Sequence, residues 1–177
     1  MINIMSKIKI TKICDECIKH KGFDYRGCYG TDCNDACCRY GCDVDKTAYE
    51  EIHKNSGLIK EILGYDFDRL FTGKFEYDDE YPGGYYIRSR KLKETGYCIF
   101  HKVGEKGCVL YELALMRGLP KKIVPLICKL YPLEWGNGEL TLDHLEQKSC
   151  NVFREDNKSD YSIMETQKDT LEEHFDY

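Results

Sequence analysis

The sequence predicts a small α+β domain in which short strands and hairpins pack with two or three helices. Three observations predict it. Apolar residues recur at helical spacing over 48–63 and again over 109–116. Between and after those stretches, glycine- and proline-marked turns deliver the chain into short runs of aromatic and β-branched residues, which suit strands. The 11 cysteines are spread along the whole length, so a centre they share must draw distant segments together. A chain of 177 residues can bury a core as one domain, or as one domain with appended ends. The expected division is an N-terminal arm over 1–27, a cysteine-rich domain over 28–152, and a polar tail or terminal helix over 153–177.

Each element has its own signal. Ile2, Ile4, Ile8 and Ile10 stand an even number of residues apart, as on one face of a strand or extended arm. Cys14-Asp-Glu-Cys17 follows, a spacing that grips a metal from a tight turn or works as a redox pair. Gly22, Gly27 and Gly30 mark a loop containing Cys28. Cys33-Asn-Asp-Ala-Cys37-Cys38 is then expected to feed a helix N-terminus, since Thr47-Ala-Tyr-Glu50 matches a capping box. Ala48, Ile52, Ile59, Ile62 and Leu63 give that helix its stripe, interrupted near Gly57, with His53 at its surface or core edge. Pro82-Gly83-Gly84 turns into a strand at Tyr85-Tyr86-Ile87, and Tyr97 to Phe100 reads as another. A helix from Val109 through Met116 ends at Gly118, before Pro120. Pro125 and Pro132 flank Cys128 and restrict the backbone around it. Gly136-Asn137-Gly138 offers a hairpin turn into Glu139–Leu142, with Cys150 beyond.

Charge and cysteine usage narrow the function classes. A net charge of −5 opposes a phosphate-tracking surface. The basic group Arg88, Arg90, Lys91 and Lys93 lies close in sequence to Glu76, Asp78, Asp79 and Glu80, so no nucleic-acid partner is expected. Met1 to Ile13 lacks the apolar run of a signal peptide, and no window suits a bilayer. The expected compartment is therefore the reducing cytoplasm, where disulfides are rare and numerous thiols point to metal.

Thiolates are soft ligands, and three kinds of site use them. A structural zinc site takes four in a tetrahedron. An iron–sulfur cluster also takes four, and two clusters take eight. Metal-free thiols can instead cycle through a disulfide, with Cys14 and Cys17 or Cys37 and Cys38 as candidates. Successive side chains diverge in regular backbone, so Cys37 and Cys38 are expected to serve neighbouring sites or two irons rather than one ion. The leading expectation is a metal-binding protein holding iron, as an iron–sulfur cluster, or zinc, with a possible protein partner. The alternatives are an enzyme with an open metal position or a redox-active thiol such as Cys38, and a zinc-stapled adaptor. Asp32 and Asp35 could support the metal ligands from behind or serve as loop solvation, with solvation the favoured reading.

Cys33-x3-Cys37-Cys38 with Gly41, then Gly96-x-Cys98, Gly107-Cys108 and Cys128-Lys-Leu-Tyr-Pro132 resembles the cysteine-rich zinc- or iron-chelating proteins of the YkgJ-like group. That group is known by a C-x-x-x-C-x-x-C-C signature. The run from Cys108 through Glu-Leu-Ala-Leu, Gly118, Pro125 and Cys128 to Leu-Tyr-Pro-Leu is similar to a related bacterial branch of unknown function. In that branch a further cysteine follows the hairpin, as Cys150 does here. The resemblance covers about residues 28 to 152. It implies that Cys33, Cys37, Cys38, Cys98, Cys108, Cys128 and Cys150 form the metal-ligating set. Cys28 is a secondary candidate, because Cys28-x4-Cys33-x3-Cys37-Cys38 exceeds the signature by one residue in each gap; Cys14 and Cys17 match nothing in the resemblance and are secondary candidates for a second site. Cys42 lies outside the set, and its replacement by serine is expected to change little.

Overall fold

Two hydrophobic cores, sharing one short helix as a common wall, organise the chain. The computed structural model describes residues 7–23, 35–102, 104–105, 107–143 and 157–177. Among them, eight strands form three small sheets and seven α-helices pack about them. The mixed α+β class agrees with the sequence. The helices outnumber the two or three expected because several are single turns, too short to show a periodic stripe.

The first core lies under an antiparallel sheet of β3 (Asp43–Asp45), β5 (Tyr85–Ser89) and β4 (Phe71–Tyr77), in the order β3-β5-β4. Helices α2 (Lys46–Lys54), α3 (Ser56–Leu63) and α4 (Val109–Leu115) contribute its filling. Ala48, Ile52, Ile59, Val109, Leu110 and Leu113 are buried there, as their helical spacing predicts. Each large aliphatic side chain so placed stabilises the fold by about 1.5–3 kcal/mol before entropy is set against it. Tyr49, Phe67, Phe71 and Phe75 close one end with ring centroids about 5 Å apart.

The second core is built from both ends of the described chain. Strand β1 (Ile8–Lys9) pairs in parallel with β8 (Phe175–Asp176), and β2 (Lys12–Ile13) pairs in parallel with β7 (Glu139–Leu142). Strands β6 (Leu133–Gly136) and β7 form the expected hairpin; its turn places Asn137 and Gly138 at φ 53° and 76°. Helices α1 (Asp15–Lys19), α6 (Ile163–Thr166) and α7 (Lys168–His174) cover it, burying Cys17, Ile163 and Leu171. The wall between the cores is α5 (Leu126–Leu130). Leu126 and Leu130 face the second core, and Ile127 and Cys128 pack on the first.

Three local expectations are corrected, and the choice between tail and terminal helix is decided. The cap of α2 is Asp45 rather than Thr47: Asp45 has extended backbone, and its Oδ1 accepts from the Ala48 N–H at 2.9 Å. The stripe breaks at Asn55, between α2 and α3, while Gly57 lies inside α3. Tyr97 to Phe100 is a turn with an isolated bridge from Lys91 to Cys98, because its backbone folds back to follow Arg90 and Cys38 instead of a long partner. The C-terminal segment is not frayed. Ser162 and Glu165 make a reciprocal capping box that starts α6, and Phe175 is buried at the end of α7. No helix among the described residues is long and apolar enough to cross a membrane.

Candidate metal centre

Cys37 and Cys38 lie in a one-turn 3-10 segment, Ala36–Cys38. Strand β3 separates that segment from α2, so the helix does not begin directly behind the cysteine stretch as its sequence suggested. The tight turn also defeats the expected divergence of the adjacent thiols: their sulfurs stand 3.9 Å apart. Two thiolates each about 2.3 Å from one tetrahedral metal are about 3.8 Å apart. The pair is therefore spaced as two ligands of a single ion.

Backbone and side-chain bonds bring the other cysteines to this turn. The Cys98 N–H donates to the Cys38 carbonyl at 2.6 Å. Ser89, buried on β5, accepts from the Cys98 thiol at 3.4 Å and from the Cys42 N–H at 2.8 Å. Asp35 accepts from the Gly107 N–H at 3.0 Å and so ties the turn to the start of α4, where Cys108 is the cap residue. Cys128 rides on α5, whose first N–H, at Leu126, is held by Asp45 Oδ2 at 2.9 Å. The Tyr111 hydroxyl donates to the Cys128 carbonyl at 2.7 Å.

The outcome is a shared neighbourhood of six thiols, Cys37, Cys38, Cys42, Cys98, Cys108 and Cys128, packed in or against the first core. None of the described cysteines is in a disulfide. Their mutual influence is plain in their acidities. The contact with Cys37, then burial, pushes the Cys38 thiol far above the ordinary range. Cys42 is pushed up by Cys128 and by burial, with Cys98 opposing, and Cys98 is pushed up by Cys42 and by burial. Burial and the Cys98 charge push Cys108 up to about 12. At Cys128 the Cys42 contact favours the thiolate, yet burial and the charges of Cys37, Cys108 and Cys98 leave it raised to about 11. Cys38, Cys42, Cys98, Cys108 and Cys128 resist ionising because each new negative charge would face the others in a desolvated space. A cation among them would reverse the sign of that interaction.

Of the expected ligands, Cys37, Cys38, Cys98, Cys108 and Cys128 meet here; Cys28, Cys33 and Cys150 lie outside the described residues. Among the described residues no three Cys, His, Asp or Glu side chains are closed into a ready metal-holding group. Cys14 and Cys17 are elsewhere, in the second core. The donor chemistry fits a thiophilic metal, and the Cys37–Cys38 spacing fits one ion.

Cys42 is the residue the spacing argument left out. It is buried, and its thiol interacts with those of Cys98 and Cys128, a placement at odds with a bystander role. Cys42 immediately precedes β3 and is buried, as is Val44 two residues on. Asp35 is likewise not loop solvation. It is buried, and its Oδ2 pairs with His101 Nε2 at 3.0 Å beneath the stacked Tyr97 ring.

Two members of the basic cluster are committed within the fold: Arg88 to Asp43 and the Tyr40 carbonyl, Arg90 to the Arg69 and Phe71 carbonyls. The chain matches no family model, and neither a curated protein nor a solved structure matches it.

Proposed function

We propose that the chain is a metal-binding protein that holds iron, as an iron–sulfur cluster, or zinc through Cys33, Cys37, Cys38, Cys98, Cys108, Cys128 and Cys150. The observation that carries this reading is the gathering of thiols from four separate stretches, around 37–42, 98, 108 and 128, against one core without a disulfide. Apolar packing alone gives no reason to collect so many soft donors in one place, since buried free cysteine serves as well when scattered. Bound iron–sulfur would supply one-electron chemistry, and bound zinc would supply a structural cross-link. The protein's contribution is to hold the donors by the Ser89, Asp35, Asp45 and Tyr111 bonds.

Purification without air, followed by iron, zinc and acid-labile sulfide analysis, tests the proposal. Iron with matching sulfide identifies a cluster, and zinc without sulfide identifies a mononuclear site. A folded, colourless protein free of both metals, and unable to take up either under reducing conditions, overturns it.

A further inference from the structure

The second core holds a pair of thiols with a different character from the cluster. Cys14 is the cap residue of α1, and the Cys17 N–H donates to its sulfur at 3.3 Å. The two sulfurs approach to 2.8 Å. Closing them to a covalent bond of about 2.05 Å requires a contraction of about 0.8 Å, well within side-chain motion. Their exposures differ: Cys14 is half-buried, whereas Cys17 is fully buried and rests against the Leu140 carbonyl at 3.6 Å.

We propose that Cys14 and Cys17 form a reversible dithiol–disulfide couple, separate from the metal centre, that exchanges with disulfide-bonded substrates. The half-exposed Cys14 is the attacking thiol, since a substrate sulfur can reach it and its own sulfur is oriented by the Cys17 N–H. Burial keeps the Cys17 thiol from solvent, where only a sulfur already bonded to Cys14 reaches it, as a resolving thiol requires. In the first step Cys14, as thiolate, attacks one sulfur of R–S–S–R. A Cys14–S–S–R bond forms, the substrate bond breaks, and one RS⁻ leaves and takes a proton from water. In the second step Cys17 gives up its proton to solvent and attacks the Cys14 sulfur, expelling the second RS⁻. The pair loses two electrons and two protons, and the substrate disulfide becomes two thiols.

The platform for this exchange is firm. The Cys14 N–H donates to the Leu140 carbonyl at 3.0 Å, the Thr11 N–H donates to Gly138 at 2.7 Å, and the Ile163 N–H donates to His20 at 3.0 Å. These bonds hold both flanks of α1 against the hairpin and α6. The pair's place in the second core keeps its chemistry apart from the cluster thiols of the first.

A convenient feature makes the test direct: cleavage after lysine releases Ile13–Lys19, which carries both cysteines and no others. The full-length protein is equilibrated with oxidised glutathione, alkylated, digested and weighed by mass spectrometry. The expected result is that this peptide loses two hydrogens, escapes alkylation at both positions, and regains both thiols after dithiothreitol. In Cys17→Ser, Cys14 should instead accumulate a glutathione adduct, at least about tenfold above wild type, because the resolving thiol is gone. Two alkylated cysteines in oxidised wild type overturn the proposal without recourse to a variant. So does protection without loss of hydrogens that a chelator relieves, which would make the pair a metal ligand. Absence of an adduct at Cys14 in the folded variant overturns it as well.

Discussion

Replacing Asp45 with alanine should weaken the fold at the joint between its two halves. One carboxylate serves two helix ends: Oδ1 takes the Ala48 N–H of α2, and Oδ2 takes the Leu126 N–H of α5, each at 2.9 Å. Loss of an N-cap costs about 1 kcal/mol. Leaving the buried Leu126 N–H without an acceptor costs a further 1–3 kcal/mol or so. Against this, burial holds the Asp45 carboxyl above its usual range, so its charge is itself expensive and its removal returns part of the loss. The net expectation is about 2–3 kcal/mol, or a fall in Tm of about 4–12 °C for a chain of this size.

Asparagine separates the two bonds. Its side-chain oxygen can still accept from Ala48, but its amide nitrogen would meet the Leu126 N–H donor to donor. Asp45→Asn should therefore fall between wild type and Asp45→Ala. Urea and thermal unfolding of the reduced protein measure all three. A loss below about 1 kcal/mol in the alanine variant would refute the shared cap, given the separate costs above.

Four further outcomes follow from named contacts. Cys128→Ser should lower bound metal and Tm together under the proposed function, and Cys42→Ser should lower Tm by the equivalent of about 1 kcal/mol through its buried contacts with Cys98 and Cys128; metal analysis beside thermal melts checks both, and an unaltered Cys42→Ser would restore its bystander role. Gly22→Ala should cost about 1–3 kcal/mol, because the added Cβ would collide with Thr166 Oγ1 and meet the Ser162 carbonyl at 2.8 Å; a melt unchanged from wild type would show that α6 gives way freely. Glu112 is held below the usual carboxylate range by its bonds to Lys102 and Arg117. Its contribution is therefore present above the unfolded carboxylate pKa and is lost as pH falls through the lower folded value. Glu112→Gln should reduce stability by about 1 kcal/mol at pH 7 and by less near pH 3, as pH-dependent unfolding will show.

The parts legible in the sequence are those whose cause is local or periodic. The helical stripe at Ala48, Ile52 and Ile59, the stop at Gly118, and the Asn137-Gly138 turn each arise from residues a few positions apart. What escaped depends on partners remote in the chain. Asp45 outcompetes Thr47 because it ends a strand and can also reach Leu126, 81 residues away. Asp35 reads as a loop carboxylate until His101 and Gly107 fold over it. Ser89 carries no signal of its own; it matters only because Cys42 and Cys98 arrive on either side. Divergence of the Cys37 and Cys38 thiols is a sound inference for helix or strand, but the 3-10 turn between loop and strand obeys neither period.

Packing supplies the reason that the two sets of thiols can differ in chemistry within one small domain. The cluster cysteines are held on the first core by bonds to Ser89, Asp35 and Tyr111. Soft and crowded, they suit a thiophilic cation under the proposed function. Cys14 and Cys17 pack with the second core, where the half-exposed sulfur faces its buried partner across one turn of helix. That arrangement favours disulfide exchange over a metal needing four donors. Helix α5 borders both regions, presenting Cys128 to the first and Leu126 and Leu130 to the second. One short helix thus borders both sets of thiols, and the Asp45 carboxylate accepts its first N–H.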